Sequence, residues 1–189
     1  MACSLTLSGR DLPCRDAVGG VAKVWILYRT EAAPPYSGEF VEGMYLAVSS
    51  GEIAGVDNTK FSHSAAHYYD FNGPKNTSTF TQTVNSSAEN GNVFYSQVLS
   101  LVLSKPVSED VIELRNLTRG RLSIIVEDNN GNKFVMGHTQ GVEATGGTLA
   151  TGTAKGDLNG YTLEFTSEEA IPAPLLGSAE TAMQFDVTP

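Results

Sequence analysis

Several groups of side chains in this sequence have the types that do chemistry. Cys3, Cys14, His63 and His67 make a two-thiol, two-imidazole set of the kind that holds zinc. His63 and His67 are four apart and would share one face of a helix. The set comes from distant segments, however, and Cys3 and Cys14 are too far apart for a C-x-x-C pair. Two small buried thiols and two surface histidines account for the same residues without a metal. A disulfide would close a short loop, but a cytosolic product keeps both thiols reduced. Asp128-Asn129-Asn130-Gly131-Asn132 faintly resembles a calcium loop. It lacks the alternating acids and closing Glu of an EF-hand, and Asn-Gly is the expected tip of a hairpin.

Catalytic groupings are thin. His138 has no Ser or Cys near it in sequence, and nothing points to a distant triad. Glu168 and Glu169 are adjacent, and neighbours on a strand face opposite ways, so they do not work as a pair. Gly146-Gly147-Thr148 has no Lys at phosphate-loop spacing and reads as a turn. Asn-x-Ser/Thr triplets at Asn76, Asn85 and Asn116 match a glycosylation pattern, but no secretion signal accompanies them. With no nucleophile elbow or metal-hydrolase motif either, the expectation is a protein that is not an enzyme and has no cofactor or metal.

The elements that would position such groups are mostly strands. Asn-Gly recurs at residues 72, 90, 130 and 159, between runs rich in Val, Ile, Thr, Tyr and Phe. Strands are predicted at Val21–Tyr28, Ala66–Phe71, Thr77–Val84, Val93–Leu103, Leu122–Glu127, Lys133–Gly137 and Tyr161–Ser167. Met44–Val48 and Ile53–Val56 form a hairpin, and Gly141–Thr145 and Thr148–Ala154 flank a turn at Gly146-Gly147. Trp25 is expected to be buried. One helix is predicted over Glu109–Arg119, capped by Ser108 and stopped at Gly120. Its Val111, Ile112, Leu114 and Leu117 form an apolar face that must lie on a sheet. The fold class is mainly β (α+β by count): a β-sandwich or partly rolled barrel with one flanking helix. Residues 1–20 read as an N-terminal arm, 21–169 as the β-rich domain and 170–189 as an extended C-terminal arm.

Composition limits the partners. The chain has 189 residues, 41% hydrophobic and 17% charged, with a net charge of −9. From Leu122 onward only Lys133 and Lys155 are basic, against nine acids. Such a surface repels phosphate backbones, so tight nucleic-acid binding is not expected. No apolar run is long enough to span a membrane, and the N-terminus does not read as a secretion signal.

Three segments carry a resemblance. They run from Cys3-Ser4-Leu5-Thr6-Leu7-Ser8-Gly9-Arg10 through Pro13-Cys14-Arg15-Asp16-Ala17-Val18-Gly19-Gly20, over Ile125–Asn132, and from Thr151-Gly152-Thr153-Ala154-Lys155-Gly156-Asp157 through Gly160–Thr166. Together they resemble the tail tube proteins of tailed bacteriophages over roughly residues 1–172, on the order of a single domain. The resemblance implies a structural subunit that builds stacked hexameric rings around an acidic channel through which DNA passes without being gripped. It implies a place in the virion tail after synthesis in the host bacterial cytoplasm. Implied partners are further copies of the chain and the tape measure, terminator and baseplate or tip proteins. Val93–Leu103 and Leu122–Glu127 are the strands expected to pair between ring neighbours. The N-terminal arm, the 31–43 loop and the 170–189 arm are expected to join ring to ring. The alternatives are a head–tail connector, tail ring or capsid decoration protein, and a carbohydrate-binding β-sandwich. The last needs exposed aromatics, and the chain has a single Trp.

Overall fold

A computed structural model describes residues 17–28, 48–49, 51–53, 66–108, 110–177 and 183–186. The described strands are β1 (Val21–Tyr28), β2 (Val48–Ser49), β3 (Glu52–Ile53), β4 (Ala66–Asp70), β5 (Thr79–Ser87) and β6 (Asn92–Ser104). Helix α1 (Asp110–Leu117) follows, and then β7 (Leu122–Asp128), β8 (Lys133–Met136), β9 (Glu143–Ala150), β10 (Gly160–Glu169) and β11 (Met183–Asp186). The protein is mainly β, in two facing sheets that do not close into a barrel. The first sheet has the order β11-β4-β1-β7-β8, antiparallel except for the β11–β4 pair. The second is β5-β6-β10-β9, antiparallel throughout.

Alternation decides what lies between the sheets. Val24 and Ile26 of β1 and Leu122, Ile124 and Val126 of β7 meet Leu99 and Leu101 of β6 and Leu163 and Phe165 of β10. All nine are buried. The first sheet is also buried on its reverse side, by Trp25, Leu27, Tyr68, Ile125 and Val135. That explains the almost unbroken apolar run of β7, since a strand covered on both faces has no position for a charge. Trp25 is 6% exposed, with the Lys23 and Lys133 ammonium groups 5.7 and 5.6 Å from its ring centre.

Three expectations need correction. Gly146-Gly147 is not a turn: β9 runs straight through both and pairs with β10. A Cβ at Gly147 would stand 3.0 Å from Leu163 Cδ2, so the bare backbone lets β9 lie close against its neighbour. The ladder slips by one residue between Glu164 and Phe165, leaving Thr145 without an opposite number. The helix buries less than its pattern promised. Leu117 is buried and Leu114 packs on the core, but Val111 and Ile112 are 61% and 66% exposed. It is also closed differently, by the Thr118 hydroxyl donating to the Leu114 and Arg115 carbonyls.

The 170–177 stretch is extended and docked. Leu176 N donates to Lys133 O and Val135 N to Pro174 O, while Leu175 N donates to Gly51 O and Ile53 N to Leu175 O. One strip of chain thereby links β8 to the β2–β3 hairpin. Of the predicted Met44–Val56 hairpin, the β2–β3 tip falls within the described residues, with Gly51 in its turn at φ 84°.

Replacing Phe165 by Ala removes a fully buried ring from between the sheets and should cost about 3–5 kcal/mol in urea unfolding. Thr81→Ala, on an exposed strand position, should stay within about 0.5 kcal/mol of wild type.

Candidate functional site

The second sheet has one face on the core and one on solvent. The register puts Thr79, Thr81, Thr83 and Asn85 of β5 on the outer face, beside Ser96, Val98 and Ser100 of β6. Thr162, Glu164, Thr166 and Glu168 of β10 continue it, followed by Glu143, Gly146 and Thr148 of β9. This face carries hydroxyls and carboxylates, and no Lys or Arg stands at any of these strand positions. Glu164 and Glu168 are exposed. Glu143 reaches toward Arg121, at 3.5 Å from the guanidinium Nε.

The sheet's two sides are as distinctive as its face. β5 and β9 are its edges, nine and eight residues long. Among the described residues no strand pairs with the outer side of either. Exposed edges are normally blunted by Lys, Pro or inward-pointing charge. Here Thr-Phe-Thr-Gln-Thr-Val-Asn-Ser-Ser has none of these, and Glu-Ala-Thr-Gly-Gly-Thr-Leu-Ala has Glu143 at one end and the bulge at Thr145. The strands expected to pair between copies are both interior: β6 lies between β5 and β10, and β7 between β1 and β8. Each already spends its backbone groups on two neighbours.

The residues singled out for chemistry are scattered. Cys3, Cys14 and His63 lie outside the described residues, and His67 is on β4. Among the described residues no group of three His, Cys, Asp or Glu side chains comes together to hold a metal. Asp128 spends both oxygens on its own turn, accepting from the backbone amides of Asn130 and Asn132 and from both of their side-chain amides. Asn130 in turn clasps the incoming chain, accepting from Val18 N and donating to Val18 O. Burial pushes the Asp128 carboxyl upward, but the donors from Asn132 and Asn130 outweigh it and hold the group below its ordinary value.

Glu168 and Glu169 part company as adjacent strand residues must. Glu168 is exposed, whereas Glu169 is 2% exposed. The Glu169 carboxylate accepts from Thr139 N and Gln140 N, and Gln97 accepts from Gly137 N. Ser167 donates to Gly141 O. These three side chains bind the 137–141 turn, whose Gly137 and Gly141 sit at φ 69° and 86°. His138 lies in that turn with Nδ1 3.1 Å from Thr139 Oγ1. Alternation puts Gln97 in phase with Leu99 and Leu101, and Glu169 in phase with Leu163 and Phe165; the turn that satisfies their polar groups was not readable from the sequence.

No protein-family model matches this chain, and no curated protein matches it.

Two substitutions check these contacts. Glu169→Ala strands two amides of the 137–141 turn and should cost about 1–3 kcal/mol. Asp128→Ala should lower the melting temperature at pH 7. A depressed folded-state pKa gives stability that is present above the unfolded value, about 3.9, and is lost as pH falls through the lower folded one. The gap from wild type should therefore narrow below about pH 4 in a series of thermal melts.

Proposed function

We propose that this chain is the subunit of a bacteriophage tail tube. Copies join side by side into rings, six to a ring by the family resemblance, and the rings stack around a channel for DNA. One observation carries the reading: a single sheet whose two edge strands are unpaired among the described residues, with an outer face rich in hydroxyls and carboxylates and free of Lys and Arg on its strands.

The geometry of pairing supports it. β5 is antiparallel to β6, β6 to β10 and β10 to β9, so β5 and β9 run antiparallel to each other. Rotation about a ring axis preserves strand direction. The β5 edge of one copy then meets the β9 edge of the next in antiparallel pairing, and every junction around the ring continues the pattern. Such a contact is heterologous, and it leaves no open edge once the rotation closes. The continuous sheet presents Thr79, Thr81, Thr83, Glu164 and Glu168 to the channel. Lysines or arginines on that wall would exchange with the counterions of DNA and hold it. Hydroxyls and carboxylates let a polyanion slide. In this reading the protein resides in the virion tail, among tape measure, terminator and baseplate or tip proteins.

Negative-stain electron microscopy across a concentration series tests the assembly. Wild type should give rings and hollow tubes. Leu149 is a 58% exposed residue on the core side of edge strand β9. Leu149→Lys should leave the monomer folded and abolish the rings, because a charge on an edge blocks pairing. Rings that survive this change would argue against edge pairing. A wild-type chain that stays monomeric at high concentration would favour a connector or decoration role instead. The wall chemistry has its own test. Tubes bearing Glu164→Lys and Glu168→Lys should retain double-stranded DNA in a low-salt filter assay, and wild-type tubes should release it.

A further inference from the structure

We infer that Asn90, at the tip of the β5–β6 hairpin, is a site of spontaneous modification: the backbone nitrogen of Gly91 displaces its side-chain amide as ammonia, and the resulting succinimide opens to aspartate or isoaspartate. The inference does not depend on the tube reading.

The step needs no reagent but water. The Gly91 nitrogen attacks Asn90 Cγ; an N–Cγ bond forms and the Cγ–Nδ2 bond breaks. The amide proton of Gly91 leaves with the departing nitrogen as ammonia. Water then cleaves the ring at Cγ, giving aspartate, or at the main-chain carbonyl carbon, giving isoaspartate with the chain running through Cβ. Ring closure requires the asparagine side chain to swing onto the next nitrogen. That nitrogen must be free of bonds and of a hindering side chain. Glycine meets the last condition, and the Asn-Gly pairs at 72, 90, 130 and 159 all meet it by sequence. The fold tells them apart.

The other pairs are locked. Asn72 Nδ2 donates to Asp70 Oδ2 at 2.8 Å, and a Cβ at Gly73 would collide with the Val102 carbonyl oxygen, so that pair lies hard against β6. Asn130 accepts from Val18 N and donates to Val18 O and Asp128 Oδ2. The nucleophile there, Gly131 N, donates to Asp128 O. Asn159 O accepts from Lys105 N, and Gly160 is buried between Ser104 and Ala150 in the β10 ladders. Cyclisation at any of these must wait for local opening, which costs free energy.

Asn90-Gly91 has none of these restraints. Both residues are exposed, and nothing lies within 4 Å of where a Gly91 Cβ would stand. Asn90 bonds through its backbone nitrogen, to Ser87 Oγ at 3.4 Å, and its side chain makes no hydrogen bond among the described residues. Gly91, at φ 64°, belongs to a turn that outruns the sheet. The β10 ladder stops at Glu169 opposite Tyr95, and beyond it Asn85–Ser87 and Asn92–Phe94 pair only with each other. A two-stranded tip past its third strand opens at the least cost in the sheet. The product places a new carboxylate next to exposed Glu89.

Peptide mapping of the full-length protein, aged in mildly alkaline buffer, tests the site. Trypsin cutting after Lys75, Arg121, Lys133 and Lys155 puts the Asn-Gly pairs on separate peptides. Mass spectrometry reads the amide-to-acid change in each. In the folded protein Asn90 should convert at least about tenfold faster than Asn72, Asn130 or Asn159, because those three need local opening first. In guanidinium-unfolded protein the four rates should converge. An enzyme that methylates isoaspartate should label aged wild type strongly and aged Asn90→Gln weakly, since the longer side chain closes its ring slowly. Conversion of any other Asn-Gly pair as fast as Asn90 in the folded protein would overturn the proposal. So would an Asn90 that stays intact in the folded protein while all four react on unfolding.

Discussion

β6 and β10 are joined without interruption from Gly160 opposite Ser104 to Glu169 opposite Tyr95. This central ladder sets the phase of everything around it. It fixes Leu99, Leu101, Leu163 and Phe165 on the core side and every second residue on the solvent side. A slip of one residue would turn the apolar set outward. Its closest approach is at Gly160, where a Cβ would collide with the Leu103 carbonyl. β5 and β9 inherit their register from this pair, and so do the two edges on either side of the sheet. The facing sheet supplies the other half of the core but has less freedom. Its central strands are covered on both faces, which leaves the β5-β6-β10-β9 sheet as the one with a broad surface to offer.

Much of this was legible in the residues. β1 begins and ends where alternation placed it, and β6 proved a strand because Ser and β-branched residues alternate through it. The Asn130-Gly131 hairpin tip was readable because a left-handed residue is needed there, and Gly131 supplies φ 83°. Other features were hidden for physical reasons. Two glycines in a row usually signal a turn, and only the proximity of Leu163 shows why β9 needs them. Helical periodicity reported an apolar stripe at Val111 and Ile112 but could not report where the helix sits. The inward Gln97 and Glu169 depend on a turn that reaches them from far along the chain. Which strands are edges is a property of topology, so β6 and β7 looked as suitable for pairing as any other.

In the proposed tube reading, the outer sheet face serves by what it does not do. It has hydroxyls that water satisfies and carboxylates that repel a polyanion, and its register places no cation on the strands. In that reading, affinity lies elsewhere, in the backbone groups of the β5 and β9 edges, and the same sheet serves as inert wall and adhesive rim.

The strip 174–176 has a kinetic consequence. It bonds to Lys133 and Val135 on one side and to Gly51 and Ile53 on the other, joining segments from the two halves of the chain. During synthesis the β2–β3 hairpin must therefore wait, without its neighbour, until residues 174–176 have left the ribosome. β4 waits longer still for β11. Contacts between such distant segments form late and slowly. A nascent chain cannot present the finished first sheet before Met183–Asp186 has emerged.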